Sequence, residues 1–424
     1  MLSTLRNAWR IPEIRKKIIF TLLMLLVFRL GSSIPVPYMN KAIIENIFQQ
    51  SQGGILQFLD LMGGGTLSNF SIFATNIYPY ITASIVIQLL TIAIPRLEEL
   101  AKEGEEGKKK ITKYTRYTAI GLALIQAIGY TFGLFSSALE TTNTLQNVIV
   151  IITMVAGTAF LMWVGDMITE KGIGNGISLI IFIGIVSRIP VNLINTFKLV
   201  SIGQLSIIKT LIFGIVFLFI IAFVVALQEG ERRVPVQYAK RVVGRKMYGG
   251  QSTHIPVKVS MAGVMPVIFA SSLLAFPQTI ALFAKGAPSA WITKWLTPQG
   301  NIGVWIYSIL NIALIMFFTY FYTAIQFNTV EYSKNLQQNG GFIPGIRPGR
   351  PTSDHLNKVV TRITFVGGLA LAILASLPII LSKLFAMPVN FGGTSIIIVV
   401  GVALETVKQM EAQMLMRHYK GFLN

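Results

Sequence analysis

The side chains that could carry chemistry in this 424-residue chain are few and badly spaced for it. There is no cysteine, which excludes thiolate zinc sites, cysteine nucleophiles and a disulfide scaffold. The three histidines, His254, His355 and His418, all fall in polar segments and leave little for a metal centre or a histidine-based triad. Gly104-Glu105-Glu106-Gly107-Lys108 has the glycines and lysine of a phosphate loop, but the spacing is wrong, no Ser or Thr follows the lysine, and the stretch lies in a charged loop and not after a strand. It reads as a solvated hinge. No catalytic set, metal site, cofactor site or nucleotide site emerges, so any work this chain does draws its energy from a partner.

What remains is the chemistry of contact. Residues 229–258 carry Arg232, Arg233, Lys240, Arg241, Arg245 and Lys246, and residues 326–362 carry Phe342-Ile343-Pro344-Gly345-Ile346-Arg347-Pro348-Gly349-Arg350. Two arginines in a turn punctuated by Pro-Gly are held out from whatever supports them. Both segments are longer than is needed to orient a membrane protein, which takes only a few charges, and this favours a docking role.

The elements that position these groups must be membrane helices. Soluble domains carry about a quarter charged residues, whereas here 12% are charged, 53% are hydrophobic and the mean hydropathy is +0.64. Apolar runs near the 20 residues that span a hydrocarbon core lie at about 18–34, 71–94, 117–138, 147–165, 177–196, 206–227, 259–284, 303–325, 363–386 and 394–407. The first runs into Ile34-Pro35-Val36-Pro37 without a small-residue cleavage site, so it reads as a retained helix and not a signal peptide. With the N-terminus inside, Lys and Arg number 28 on the cytoplasmic side and 7 outside, with Arg29 within the first span. That asymmetry places both termini in the cytoplasm, and the net charge of +19 is first a topology signal.

Two motifs recur at a fixed offset. Pro79-Tyr80-Ile81-Thr82-Ala83-Ser84 in span 2 matches Pro266-Val267-Ile268-Phe269-Ala270-Ser271 in span 7, and Gly176-Ile177-Ser178-Leu179-Ile180-Ile181 in span 5 matches Gly393-Thr394-Ser395-Ile396-Ile397-Ile398 in span 10. Each pairs span n with span n+5, and five is odd, so matched spans run in opposite directions. That is an inverted repeat, with a path between the halves. Proton-coupled carriers need acidic or histidine side chains inside their spans, but Asp166 and Glu405 sit at span ends, and Arg29 lies where arginine snorkels. A path lined by aliphatic residues fits better. Ile77 with Ile81, and Ile177 with Ile181, stand one turn apart, and the repeat adds Ile268 and Ile398. Such a constriction gates by dewetting and offers a passing chain nothing to bond to. Gly172-Ile173-Gly174-Asn175-Gly176 and Gly392-Gly393 would open two helices below the membrane surface, as irregular backbone facing water.

The external stretch Gly53-Gly54-Ile55-Leu56-Gln57-Phe58-Leu59-Asp60-Leu61-Met62-Gly63-Gly64-Gly65 is apolar, too short to span, and closed by three glycines. It reads as a re-entrant or interfacial piece on a flexible hinge, able to move as a plug.

On these residues the chain resembles the SecY family of protein-conducting channels over essentially its full length. The resemblance also rests on Ser71-Ile72-Phe73-Ala74, Gln251-Ser252-Thr253-His254 and Gly345-Ile346-Arg347-Pro348-Gly349. It implies an all-α membrane protein of ten transmembrane helices in two inverted five-helix halves, residues 1–196 and 197–424, around an hourglass pore. It implies a pore ring of Ile77, Ile81, Ile177, Ile181, Ile268 and Ile398, and a plug that includes Phe58, Leu59, Leu61, Met62, Gly63, Gly64 and Gly65. A lateral gate between helices 2/3 and 7/8 is implied, with Thr82, Gln88, Thr91, Ser271 and Phe276 along it. Arg347, Arg245, Lys246, Arg241 and Arg350 match contacts for the SecA motor or the ribosome, and SecE and SecG are the implied small subunits, with signal sequences and nascent polypeptides as cargo in a bacterial plasma membrane. The competing reading is a secondary transporter of small solutes on a five-plus-five inverted repeat, which should place polar side chains at the broken helices where isoleucine stands here. A membrane scaffold without a pore would leave the repeat unexplained.

Overall fold

The computed structural model describes residues 2–50, 60, 63–140, 143–203, 205–238, 241–243, 246–248, 252–283, 291, 295–296, 303–384 and 393–420. Phe58, Leu59, Leu61, Met62, Arg245 and Gly392 lie outside these. The chain folds as helices because a span in hydrocarbon must satisfy every backbone N–H and C=O within itself. In order they are α1 (Leu2–Arg10), α2 (Pro12–Gly31), α3 (Lys41–Gln50), α4 (Tyr78–Ala93), α5 (Pro95–Lys102), α6 (Glu105–Gly129, continued as a π-helix through Leu134), α7 (Thr144–Lys171), α8 (Gly176–Ser201), α9 (Ile207–Glu229), α10 (Met265–Phe283), α11 (Gly303–Gln326), α12 (Thr329–Gln338), α13 (Arg350–Leu384) and α14 (Gly393–Lys420).

A helix stands at each of the ten expected span positions. By length and hydropathy alone, seven of the described helices qualify as spans, or eight if the bent pair α4 and α5 counts as one. The other two are α2, whose ends carry Glu13, Arg15, Lys16, Lys17 and Arg29, and α10, whose apolar part Met265–Pro277 is short. Neighbouring helices pack in the same order in both repeats: α4 on α6, α6 on α7 and α7 on α8, then α10 on α11, α11 on α13 and α13 on α14.

Span 2 departs from its expected limits. Residues 71–77 form turns, with Phe70 and Asn76 at positive φ (42° and 53°), and the helix starts only at Tyr78. Pro79 in the first helical turn needs no N–H partner there and suits that start. The turns are pinned sideways: Thr75 Oγ1 lies 2.5 Å from Thr158 Oγ1 of α7, and Ile72 N–H donates to the Ile34 carbonyl at 3.0 Å. Ile77 is therefore the N-cap of this helix, and its carbonyl accepts from Ile81 N–H at 3.0 Å. At the other end Ile94 is extended (φ −110°, ψ 115°) ahead of Pro95, and the chain turns by 101° into α5.

The two basic segments, expected as loops, are tied together by a sheet. Strand β1 (Glu231–Tyr238) pairs antiparallel with β4 (Ser252–Lys258), Val234 opposite Ile255, and with β5 (Gly341–Phe342), Gln237 opposite Phe342. Between them β2 (Arg241–Val243) and β3 (Lys246–Tyr248) form a hairpin. The buried face of β1 and β4, Val234, Val236 and Val257, packs on Phe327, Leu336, Ile343, Leu356 and Val360. The two basic segments thus form one body with its own small core.

Candidate functional site

Five of the six expected ring residues, Ile77, Ile81, Ile181, Ile268 and Ile398, are buried in one cluster, and Ile177 packs against it half-buried. Ile81, Ile177, Ile181 and Ile268 also line a cavity of about 300 Å³, whose other walls include Ser84, Gln88, Asn175, Ser178, Tyr322 and Gln326. The structure thus brings α4, α8, α10 and α14 together at an aliphatic surface with a polar-rimmed space beside it.

Two of these helices, α8 and α14, contribute to that surface within two turns of their starts, and the first turn of α8 is closed by protein partners. The Asn175 carboxamide oxygen accepts from the Ile177 and Ser178 N–H groups at 3.1 and 3.2 Å, and Gly176 N–H donates to Thr169 Oγ1 at 2.9 Å. With Leu179 N–H bonded to the Asn175 carbonyl, every N-terminal donor of α8 has a protein partner. Gly176 is glycine because a Cβ there would sit 2.0 Å from the Gly165 carbonyl oxygen. At Gly393 a Cβ would sit 2.5 Å from that of Leu374. Both repeat glycines let a helix start against the backbone of the helix before it, α8 on α7 and α14 on α13.

Along the expected gate, Gln88 reaches across from α4 to α11: its Oε1 accepts from the Tyr322 hydroxyl, while its Nε2 donates to Ser84 Oγ at 3.2 Å. Tyr322 in turn meets Phe269 of α10 edge-on at 5.2 Å. Thr91 and Ser271 turn their hydroxyls back onto the carbonyls of Ile87 and Val267 and make no bond across the seam. Thr82 is half-buried and Phe276 is exposed. Tyr78 packs on the cluster that holds Ala275, and Gln88 lines the same cavity as Met265. α4 and α10 thus share both the cluster around Tyr78 and Ala275 and the cavity around Gln88 and Met265.

Asp60 and Gly63–Asn69 lie against α2 and α8. Asp60 is 7% exposed and pairs with Arg188 of α8 at 2.5 Å. Burial lifts its carboxyl above the ordinary carboxylate value, against the pull of Arg188 and hydrogen bonds from Ser68. The glycine run differs from a free hinge: Gly64 (φ 69°) touches the backbone of Gly184, and Gly65 (φ 92°) lies under the Arg188 guanidinium.

Of the expected docking cations, Arg347 and Arg350 are exposed. Their turn is fixed by Ser333 Oγ on the Gly349 carbonyl at 2.6 Å and Thr352 Oγ1 on the Arg347 carbonyl at 2.8 Å. Arg241 and Lys246 stand on the β2–β3 hairpin.

Tyr322, the Asn175 cap and the β1–β4–β5 sheet were not singled out by sequence. The sheet had a signal in the two-residue alternation of Val234 with Val236 and Ile255 with Val257. Asn175, just ahead of a glycine-opened apolar run, carries the residue type of an N-cap, whereas the Tyr322 contact had no signal.

These features define a multi-pass membrane protein built from two sets of like-packed helices that meet at an aliphatic cluster. The SecY family model matches residues 71–407, and the chain belongs to that family. It is 47% identical, over the whole of both chains, to the protein translocase subunit SecY of Halalkalibacterium halodurans. Among solved structures it resembles one described as a protein-conducting channel (TM-score 0.68, 20% identity, covering 94% of this chain and 92% of that one). It also resembles the channel of a canine ribosome–channel complex from the endoplasmic reticulum (TM-score 0.63, 18% identity, covering 94% and 92%).

Proposed function

We propose that this chain is the pore-forming subunit of a channel that passes unfolded secretory polypeptides across a bacterial plasma membrane and releases apolar segments sideways into lipid. The observation that carries this reading is the cavity in which Ile81, Ile177, Ile181 and Ile268 meet a polar rim. Aliphatic side chains seal when dry and bind no particular backbone or side chain when a polypeptide fills them. A small-solute carrier would need free polar groups at the broken helices, whereas the Asn175 carboxamide oxygen is already used as a helix cap. Family membership and the 47% identical translocase subunit support the same choice.

In this reading residues 1–196 and 197–424 are the two halves, both termini are cytoplasmic, and SecE and SecG complete the complex. Arg347, Arg350, Arg241, Arg245 and Lys246 form the docking face for SecA or the ribosome. The sheet that ties the two basic segments together would let one docking event act on both.

The test is protease protection of an unfolded secretory preprotein in vesicles holding the complex, with SecA supplied. Wild type should translocate. Arg347→Glu should insert normally, because its side chain is exposed, yet lose between about tenfold and about a hundredfold in apparent SecA affinity, as expected for one charge-assisted contact of about 1.5–3 kcal/mol, and recover with excess SecA. Wild-type activity of the variant at limiting SecA would assign Arg347 to topology alone. Saturable solute uptake without translocation by wild type would replace the channel reading.

A further inference from the structure

Among the described basic side chains expected outside the membrane, Lys41, Arg188, Lys198 and Lys209, Arg188 stands apart because it faces inward. Its Nη2 donates to Asp60 Oδ2 and to Ser68 Oγ, both at 2.5 Å, while Ser68 N–H donates to Asp60 Oδ1 at 2.7 Å. The carboxylate is therefore held by a cation and a backbone donor at once, which is how a nearly buried charge is kept. A second arginine does the same at the other edge of the segment. Arg29 of α2 donates from Nη1 to the Gly64 carbonyl at 3.0 Å and to Ser187 Oγ at 3.3 Å. Between the two, Gly64 lies so close to Gly184 that a Cβ would come within 2.7 Å of its Cα. Glycine here serves close docking, and the segment is seated at three points along α2 and α8.

We propose that Arg188 and Arg29 are positioning residues that clamp Asp60 and Gly63–Ser68 onto α2 and α8 in the closed channel, and that the Asp60–Arg188 pair must break before this segment leaves its seat. The inference rests on the channel reading and deepens it. Both arginines stand in the N-terminal half, on helices that move together if the halves part. Parting the α4–α10 seam therefore does not by itself unseat the segment, so lateral opening and axial opening are separate steps with separate locks.

The experiment uses the complete complex in vesicles and reads resting ion leak. Asp60→Asn and Arg188→Gln should each raise leak about tenfold, the scale of one lost charge-assisted contact. Arg188→Lys, which keeps the cation, should leak less than Arg188→Gln, and the Asp60→Asn/Arg188→Gln double variant should leak no more than the worse single one, because one interaction is lost in all three. Cysteines at positions 60 and 188, joined by a bifunctional reagent, should block secretion of a long hydrophilic chain while still permitting lateral insertion of an apolar segment with short flanks. Ile81→Asn serves as the positive control for leak. If it leaks while the clamp variants match wild type, or if the double variant leaks as the product of the two singles, the clamp is refuted and the channel stands. Equal block of secretion and lateral insertion by the bridge would refute the separation of the two steps. A wild-type complex that fails to translocate refutes the channel reading itself.

Discussion

Replacing Ile398 or Ile81 by Asn should raise the resting ion leak of the reconstituted complex about tenfold and let preproteins with weak signal sequences through. Both residues are almost wholly buried, at 0% and 4% exposure, so their side chains are held dry by neighbours and not by lipid. Burying an isoleucine is worth about 1.5–3 kcal/mol, and a loss of about 1.4 kcal/mol from the dry state raises the wetted population about tenfold. A double substitution should leak more than either single one, because both sit in the same cluster. Conductance in planar bilayers is the measurement, and unchanged closed-state leak in the singles and the double would remove the sealing role from these isoleucines.

The second large effect is expected at the seam between α4 and α10. A signal sequence is an apolar helix, and lipid is favoured over water by about 0.3–0.6 kcal/mol for each central Leu, Ile, Val or Phe, so the channel must open sideways. The chain has no cysteine, and introduced pairs carry no background. Thr82→Cys on α4 with Phe276→Cys on α10 puts one cysteine on each side of the seam. A short bifunctional bridge should abolish both secretion and membrane insertion, cleavage of the bridge should restore them, and a long flexible linker should be tolerated. Gln88→Leu should ease opening of the same seam, since it removes the acceptor of the Tyr322 hydroxyl. Full translocation with the short bridge verified as formed would place the exit elsewhere.

The spans were legible because a membrane imposes one rule on every backbone group, and hydropathy reports it directly. The places where helices begin were legible at Gly176 and Gly393, and the structure adds a reason for glycine at both, close approach to the backbone of Gly165 and Leu374. Gly63-Gly64-Gly65 shows a shift of role, since a glycine that permits docking and one that permits bending are identical in sequence. The β1–β4 ladder kept its alternation at Val234, Val236, Ile255 and Val257, but Pro235 and Pro256 argue against a strand and basic residues dominate its flanks. Arg188 with Asp60 and Gln88 with Tyr322 lie 128 and 234 positions apart, and no local pattern joins residues at that separation.

The central claim, that a polypeptide passes through the isoleucine constriction, is tested most directly by a preprotein arrested midway in the complex, with a photoreactive side chain placed in turn at positions 181, 268 and 215. Adducts with the arrested segment are expected from 181 and 268 and not from 215, which is 59% exposed on the outer face of α9. Adducts from 215 with none from 181 or 268 would contradict passage between the two halves.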